Sequence, residues 1–292
     1  MIPSPDLAWP LALLAVALGL VVGSFLNVCI VRWPEGESVV RPASRCPRCG
    51  RGVRWFENVP VVSWLLLRGR CAGCGLPISP LYPAVELATG LLWLGAAAGF
   101  GATLDGARVA VFATVLLGIA VTDARRMVIP DGFTLFLLLF ALATAIVSRN
   151  PGALTLFAPP YEAFVGACAG AGAVAIIGWL GELAFKKEAM GFGDVTMMAA
   201  VGAALGPERA LLTVVLGALV GAVASVAVLA PLAYVRHRQG TTPGAAAVEG
   251  GDTGGGFELP PVPFGVFLAP AALIALLAGD RLIAWYFAHF LA

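Results

Sequence analysis

The stretch MGFGDVTMMAAVGAALG, residues 190–206, places one acidic residue, Asp194, at the start of a short apolar run. A membrane-spanning helix needs about 20 predominantly apolar residues, and only about half that number follow the acid. The run at 195–205 must therefore be completed by residues around it or be enclosed by other helices, because backbone at membrane depth needs protein or a wet cavity beside it. An ionisable side chain at this depth is a candidate for function.

The rest of the chain has the composition of a membrane protein. Its 292 residues are 60% hydrophobic and 12% charged, with a mean hydropathy of +0.92, whereas soluble domains carry about 25% charged residues. The sequence predicts an all-α polytopic membrane protein with about eight transmembrane helices. The predicted helices are the apolar runs at 7–31, 84–100, 107–121, 133–147, 163–185, 195–205, 210–235 and 262–279.

The distribution of charge predicts the orientation and the partners. Most of the 18 Lys and Arg residues fall on one side of the predicted helices, including those of the polar loop after the first run. The positive-inside rule places that loop in the cytoplasm and both termini outside. A net charge of +1 without a basic tail gives no sign of a nucleic-acid partner, so the lipid bilayer is the expected surrounding.

Three parts are predicted along the chain. Residues 1–31 form a first transmembrane helix, and residues 32–83 form a small cytosolic domain. Residues 84–292 form a helical membrane core, interrupted by a Gly-rich cytosolic linker at 239–261.

Four of the six cysteines form two Cys-X-X-Cys pairs, CPRC and CAGC, in the predicted cytosolic domain. Four thiolates with this spacing suit a tetrahedral Zn²⁺ ion, whereas disulfides are disfavoured in the cytosol and a domain this small needs a staple to fold. The alternative is a redox or disulfide role for these cysteines. The predicted ligands of a structural zinc ion are Cys46, Cys49, Cys71 and Cys74. Cys29 and Cys168 lie in apolar runs and are expected to be buried and inert.

Two acids lie where predicted helices meet the cytosolic face. Asp123 ends the third run in GIAVTDARRMVIPDG, and Asp194 opens the sixth. Two carboxylates that meet across a bundle can share a proton and activate water, as in an aspartyl protease. Gly191 and Gly193 permit a bend and a close backbone approach just before Asp194. The pattern alone is weak, because both acids can equally be helix-end residues that face the headgroups.

Three other acids beside the runs have structural interpretations. Asp131 follows Pro130 at the start of the fourth run and is expected to be an N-cap. Glu86 and Glu182 are expected to be buried, hydrogen-bonded residues.

Six segments, in order, resemble those of the prepilin peptidases, also called type 4 prepilin leader peptidases. The resemblance runs along nearly the whole chain. The segments are GSFLNVCIVRWP at 23–34, the two Cys-X-X-Cys pairs, YPAVELATGLLW at 82–93, DARRMVIPD at 123–131, MGFGDVTMMAAVGAALG at 190–206 and PVPFGVFLAP at 261–270.

The resemblance implies a function. Enzymes of this family are intramembrane aspartyl endopeptidases of the bacterial inner membrane, with the active site at the cytosolic face. They remove the leader of type 4 prepilins or of type II secretion pseudopilins. Many members then N-methylate the new N-terminal Phe with S-adenosylmethionine, and those members carry a loop with the cysteine pairs, as this chain does.

The resemblance also implies roles for residues. By position, Asp123 and Asp194 are the catalytic pair, whereas no motif assigns the residues that bind the methyl donor. Independently of the resemblance, Glu86 lies close to the cysteine loop, and a part in the methyltransferase site is the alternative to its structural role. Thr196 occupies a position where the family often has Lys. A basic residue there could tune Asp194 or hold the substrate, so the cleavage rate or the substrate specificity of this chain is expected to differ. Residues of the last segment either line the cleft or form a turn into a helix; they are Pro263, Phe264 and Gly265.

Two other classes of function are compatible with the pattern. A polytopic transporter would place its acids on an ion path, and a non-catalytic assembly factor would dock through the cysteine loop. The sequence shows no inverted repeat and no acid near the middle of a predicted helix, which argues against the transporter.

Overall fold

The described part of the protein is a bundle of α-helices. The structure is a computed structural model that describes residues 5–147, 156–186, 190–229 and 263–290. Within these residues the only β-structure is a pair of isolated bridges in the loop after the first helix. The predicted all-α membrane fold is confirmed, while the predicted linker at 239–261 lies outside the described residues.

Among the residues that the structure describes, six helices are long and apolar enough to cross a bilayer. Two more apolar helices are shorter, with 17 and 14 residues. The six long helices are α1 (Pro5–Arg32), α3 (Leu81–Phe100), α4 (Leu104–Arg126), α6 (Pro160–Phe185), α8 (Pro207–Ala224) and α9 (Gly265–Phe290). The shorter two are α5 (Asp131–Val147) and α7 (Phe192–Leu205), and the loop domain contains one turn of helix, α2 (Val62–Leu66). Each of the eight predicted runs corresponds to one apolar helix. The predicted number of apolar helices is therefore correct, but only six of the eight are long enough to span a bilayer, so the predicted number of transmembrane helices is approximate.

Local signals at the helix ends place the two acids of interest. α4 begins after Thr103, whose hydroxyl accepts a hydrogen bond from the Gly106 N–H at 3.1 Å, as an N-cap residue does. α4 ends at Arg126, and the next residue, Met127, has a left-handed backbone and donates its N–H to the Asp123 carbonyl at 2.8 Å. α7 begins after Gly191. Asp123 therefore lies in the last turn of α4, and Asp194 in the first turn of α7.

The short helix α7 is enclosed by its neighbours. It packs against α5, α6, α8 and α9. Its buried residues include Met197, Met198, Ala200, Val201, Ala203 and Ala204, all at most 1% exposed. The expectation that this run is enclosed by other helices is confirmed, and its length is not set by the thickness of the bilayer.

Glycines bring the backbones of α6 and α7 into direct contact. A Cβ atom added to Gly166 would lie 2.1 Å from the Gly202 carbonyl oxygen, and one added to Gly202 would lie 2.0 Å from the Gly166 carbonyl oxygen. One turn along, a Cβ atom on Gly170 would lie 2.2 Å from the Met198 carbonyl oxygen. These distances leave no room for any side chain, which is how small residues act at helix crossings in membranes.

A second close crossing joins α1 to α3. A Cβ atom added to Gly23 would lie 2.8 Å from the Cα atom of Glu86. Beyond this crossing, Trp33 packs edge-on against Phe133 with ring centroids 4.5 Å apart. Glu35 forms an ion pair with Arg126 at the end of α4. The end of α1, where the loop domain begins, therefore lies beside the end of α4.

Three expectations about single residues are wrong. Cys168 is exposed, because it lies two positions from both Gly166 and Gly170 and so on the other side of α6. Glu182 on the same helix is also exposed, and Asp131 is the exposed first residue of α5 rather than its N-cap. Cys29 and Glu86 are buried, as predicted.

Replacing Gly166 by Ala is expected to destabilise the whole bundle, because its Cβ atom collides with backbone that has no space to move. Overpacking of this kind reduces the free energy of unfolding by about 2 kcal/mol and lowers the Tm by about 4 °C or more. Thermal unfolding of the purified protein in detergent measures this. Gly172→Ala is the matched control, because an added Cβ atom there meets nothing within 4 Å. An equal Tm for both variants would contradict the backbone contact.

Candidate active site

The two predicted catalytic acids lie at helix ends that meet inside the bundle. Asp123 is 5% exposed and Asp194 is 8% exposed. Both lie beside the Ile129 side chain: Gly193, next to Asp194, contacts it, and so does Gly265, which also contacts Asp123 Oδ2. The structure therefore brings together two carboxyl groups that are distant in sequence, and shields both from bulk solvent. Helix-end acids that face the headgroups would be exposed, so that alternative does not fit.

The beginning of α9 contacts Asp123. The Val266 N–H donates a hydrogen bond to Asp123 Oδ2 at 3.2 Å. A Cβ atom added to Gly265 would lie 2.9 Å from the same oxygen, so only glycine permits this approach. The Phe264 carbonyl accepts the N–H groups of Phe267 and Leu268, at 3.0 Å each. Unpaired N–H groups and the positive end of the helix dipole favour a negative charge at this place.

Ile129 packs between the two glycine-containing segments. A Cβ atom on Gly193 would lie 2.9 Å from the Ile129 Cβ atom, and one on Gly265 would lie 2.9 Å from the Ile129 Cδ1 atom. The predicted close backbone approach beside Asp194 is thus present, and the neighbour is the turn between α4 and α5. Both glycines let the ends of α7 and α9 close around one side chain beside the acids.

The residues around Asp194 shape the first turn of α7. The Asp194 N–H donates to the Gly191 carbonyl at 3.1 Å. The Thr196 hydroxyl donates to the Gly193 carbonyl at 3.0 Å, so this side chain is turned towards its own helix. Asp194 Oδ1 is buried and receives no hydrogen bond from the described residues. A buried carboxyl oxygen of this kind requires a proton of its own or a donor from a bound molecule.

Two contributors to this site were missed by the sequence analysis, although both lie in segments that it quoted. Val266 acts through its backbone N–H, which its apolar side chain does not reveal. Ile129 acts by packing, and an apolar residue beside a Pro carries no chemical signal. Pro263 and Phe264 are half-buried and form the turn that leads into α9.

The four predicted zinc ligands form a second site in the loop domain. Their Sγ atoms all lie within 4.8 Å of one another, and those of Cys46 and Cys74 are 3.7 Å apart. A tetrahedral ion with Zn–S bonds of about 2.3 Å separates its sulfur ligands by about 3.8 Å. All six cysteines are free thiols. The donor set and its spacing therefore fit a metal such as zinc and do not fit a disulfide.

Each cysteine pair sits on the same kind of backbone turn. The Cys46 carbonyl accepts the Gly50 N–H at 3.0 Å, and the Cys46 N–H donates to the Arg51 carbonyl at 2.9 Å. The Cys71 pair repeats this turn, with Gly75 in the place of Gly50. Both glycines have φ of +69°, a conformation that side chains oppose. The repeated turn presents two thiols of each pair to the same point.

Backbone N–H groups prepare these thiols for a metal. Those of Cys49 and Arg48 lower the pKa of the Cys46 thiol to about 6. Those of Cys74 and Gly73 also lower the pKa of the Cys71 thiol. Metals bind the thiolate form, so the first turn supplies one ligand, Cys46, that is already largely ionised near neutral pH, whereas the pKa of the Cys74 thiol is raised to about 11.

Comparison with known protein families gives two matches that together cover most of the chain. Residues 17–100 match the bacterial peptidase A24 N-terminal domain, and residues 110–226 match the type IV leader peptidase family. The first match contains the cysteine loop and the crossing of α1 and α3. The second contains both buried acids.

Several curated proteins are similar over much or nearly all of the chain. A prepilin leader peptidase/N-methyltransferase of Stutzerimonas stutzeri is 35% identical over 95% of this chain and 94% of its own length. The protein of the same name from Pseudomonas aeruginosa is 36% identical over the same shares. That of Myxococcus xanthus is 42% identical over 72% of this chain, a match that spans 62% of the relative. No solved structure matches the chain.

Replacing Cys71 by Ser is expected to remove most of the bound metal, because three thiolates and a hydroxyl hold zinc far less tightly than four thiolates. Elemental analysis of the purified protein should give one zinc per wild-type chain. Cys168→Ser, which changes an exposed thiol on α6, should keep its metal. Full zinc content in the Cys71 variant would contradict the four-thiolate site.

Proposed function

The chain belongs to the type IV leader peptidase family, and we propose that it is an intramembrane aspartyl endopeptidase. Its substrates are type 4 prepilins or type II secretion pseudopilins, from which it removes the leader. The observation that carries the proposal is the pair of buried acids, Asp123 and Asp194, at two helix ends that lie beside the same residue, Ile129. The multi-pass helical architecture and the relatives named as prepilin leader peptidases support it.

The pair has the groups that peptide hydrolysis needs. Two neighbouring carboxylates repel each other, so a state with one shared proton is favoured. The ionised carboxyl takes a proton from a water molecule, whose oxygen attacks the carbonyl carbon of the peptide bond. The protonated carboxyl donates a hydrogen bond to the carbonyl oxygen, and the leaving amine then takes up a proton as the C–N bond breaks.

The neighbours of the pair orient it. The Val266 N–H holds Asp123 Oδ2 in one position, which keeps the carboxyl aligned during the reaction. Asp194 Oδ1, which has no donor among the described residues, is left to interact with a water molecule or with the peptide. The turn around Ile129 closes one side of the site.

The cysteine site takes no part in this hydrolysis. Four protein ligands complete a tetrahedral zinc ion and leave no position for water or substrate. Zinc bound there supplies folding energy to the loop domain. The proposed peptidase is thus independent of metal chemistry.

The cytosolic face of the bacterial inner membrane is the proposed location of the active site. The Glu35–Arg126 ion pair and the contact of Trp33 with Phe133 support placing the loop domain and Asp123 on the same side of the bundle. That side carries most of the basic residues, which the positive-inside rule assigns to the cytoplasm.

The second proposed activity is N-methylation of the new N-terminal Phe with S-adenosylmethionine as methyl donor. Its support is the match to the N-terminal family domain and the names of the relatives, which include an N-methyltransferase. The other two classes considered for a polytopic chain with a metal loop are a transporter and a non-catalytic assembly factor. Family membership disfavours both of them.

Replacing either acid of the pair by Asn should abolish leader cleavage, because a single carboxyl group cannot take a proton from water and also donate a hydrogen bond to the peptide carbonyl. The loss is expected to be about a thousandfold or more. The assay mixes purified protein in detergent with a prepilin and follows release of the leader. Asp131→Asn changes an exposed acid of the same segment and should cut normally.

Two results would overturn the aspartyl mechanism. One is a normal rate for a folded Asp123→Asn or Asp194→Asn variant. The other is fast, reversible inhibition by a chelator while zinc stays in the cysteine loop, which would indicate a metalloprotease.

Replacing Gly265 by Ala should slow cleavage without unfolding the protein. The new Cβ atom would lie 2.9 Å from Asp123 Oδ2, so the carboxyl group or the end of α9 must move and the Val266 hydrogen bond weakens. Loss of a hydrogen bond to a charged group reduces the rate by about tenfold to a hundredfold. The control is Gly99→Ala, where an added Cβ atom meets nothing within 4 Å. Equal rates would show that this contact does not orient Asp123.

A further inference from the structure

One segment of the loop domain has the composition of a membrane segment. Residues 55–67, WFENVPVVSWLLL, contain ten apolar residues among thirteen and one charged residue, Glu57. Apolar runs of about 10–14 residues are too short to cross a bilayer and are typical of buried helices or of interfacial and re-entrant segments. The structure distinguishes the two, because a buried helix hides its apolar side chains whereas an interfacial helix exposes them.

The outer face of α2, which lies within this segment, is apolar and exposed. Val62, Leu65 and Leu66 occupy positions i, i+3 and i+4, so their side chains share one face of the helix. They are 50%, 61% and 78% exposed. A cluster of large exposed apolar side chains marks a surface that a partner or a membrane covers. This face of α2 therefore does not belong to a core of the loop domain.

The opposite face of α2 is fixed to the loop domain. The Ser63 hydroxyl donates a hydrogen bond to the Phe56 carbonyl at 2.7 Å, and the Trp64 indole N–H donates to the Ile78 carbonyl at 3.1 Å. The 3₁₀ turn at Trp55–Asn58 packs against α2. The rings of Trp55 and Phe56 in this turn are also exposed and lie 5.7 Å apart. Two exposed aromatic rings thus lie beside the exposed aliphatic face.

α2 begins alongside the membrane helices rather than beyond their ends. The N–H of Val61, the residue before α2, donates to Glu86 Oε2 in the second turn of α3 at 2.7 Å. The Cα atom of Glu86 lies opposite Gly23 of α1, 2.8 Å from the place of a Cβ atom there. Gly23 precedes the end of α1 at Arg32 by nine residues, or about 13 Å of helix. The Glu86 side chain and its hydrogen bond span only part of this distance, so Val61 lies below the level of Arg32.

The membrane helices expose apolar side chains at this level. On α3, Leu87 directly follows Glu86 and is exposed. On α1, Phe25 lies closer to the loop domain than Gly23 does, and it is exposed as well. The next charged residue of α1 is Arg32. The apolar layer of the bilayer therefore extends from the level of Gly23 towards Arg32, and the start of α2 lies beside this layer.

The charged residues around the segment suit the headgroup layer. Long arginine side chains place their stems along apolar surface and their guanidinium groups at lipid phosphates. Glu57, the one acid of the segment, pairs with Arg51 at 2.7 Å and accepts the Arg54 backbone N–H at 3.0 Å. The charge of the segment therefore favours contact with anionic lipid. The arginines that flank the segment are Arg54, Arg68 and Arg70.

We infer that residues 55–67 form a re-entrant anchor, which inserts α2 into the cytoplasmic leaflet beside α1 and α3. Lipid acyl chains cover the face formed by Val62, Leu65 and Leu66, as they cover the apolar face of an interfacial helix. Trp55 and Phe56 lie at the headgroups, where aromatic rings are enriched. The anchor holds the loop domain against the bundle, while the cysteine site stays in water.

Lipid crosslinking of the wild-type protein tests the anchor without any substitution. The full-length protein is placed, one chain per disc, in nanodiscs of phosphatidylglycerol and phosphatidylcholine that carry a diazirine in the acyl chain, and mass spectrometry maps the adducts after photolysis. Adducts are expected at 62–66 and at Leu87 and Leu91, two exposed leucines of α3 that report lipid contact. Residues 197–204 of the enclosed helix α7 should carry few. Adducts at the two leucines without any at 62–66 would overturn the inference.

Two matched substitutions test whether the exposed face is shielded from water. Leu66 and Val40 are both apolar residues of the loop domain and both 78% exposed, but Val40 lies in a polar stretch between Glu37 and Arg41. Leu66→Cys and Val40→Cys are made in a Cys168→Ser background, and mass spectrometry follows reaction at each position with a water-soluble maleimide in the same nanodiscs.

The thiol introduced at position 66 is expected to react at least about tenfold more slowly than the one at position 40. Apolar surroundings raise the pKa of a thiol, and a rise of one unit lowers the reactive thiolate fraction about tenfold. After unfolding in denaturant the two rates should be equal. Equal rates in intact nanodiscs would contradict the anchor.

Other coverings of the face give different outcomes. Protection of position 66 that requires two chains per disc indicates a second copy of this chain, and protection that requires an added prepilin indicates the substrate. Either result overturns the assignment to lipid. Neither measurement needs the protein to cleave or to methylate, so failure of the proposed function and failure of this inference are read separately.

Discussion

The direct backbone contact between α6 and α7 is the constraint on which the rest of the bundle depends. At Gly166 and Gly202 each glycine fills the space where the other would place a side chain. This contact lets α7 lie within the ring formed by α5, α6, α8 and α9. A helix enclosed in this way cannot slide or tilt without breaking its neighbours. Asp194, in its first turn, is therefore held at a fixed depth.

The opposing acid is placed by independent elements. Asp123 ends α4, the first N–H groups of α9 reach it, and the turn that contains Ile129 closes against both Gly193 and Gly265. Three chain segments far apart in sequence thus converge on one pair of carboxyl groups. Such convergence explains why each segment combines a polar or glycine residue with an apolar neighbour. In these turns, the polar and glycine residues surround the carboxyl groups, and the apolar residues beside them pack the helix ends together.

The sequence predicted what depends on composition and spacing. Each apolar run became a helix, the cysteine pairs came together, and the acids at 123 and 194 are buried and close to each other. It did not predict the features that arise from tertiary contacts. The exposure of Cys168 follows from the face of α6 that meets α7, and the hydrogen bond of Val266 comes from a backbone group that every residue but proline carries. The positive φ of Val61 contradicts its local preference and is imposed by the meeting of the loop domain with α3.

The length of α7 has a consequence for the membrane itself. With 14 residues, α7 is about 21 Å long, whereas the hydrocarbon layer is about 30 Å thick. Because neighbouring helices enclose α7, it does not contact lipid on all sides, and the bilayer cannot become thinner around it to match its length. The difference of 9 Å or so corresponds to about six residues of helix, so α7 cannot reach both surfaces of the hydrocarbon layer. At least one end of α7 therefore lies below a membrane surface, and an acid at such an end can act on a chain segment that is still within the bilayer.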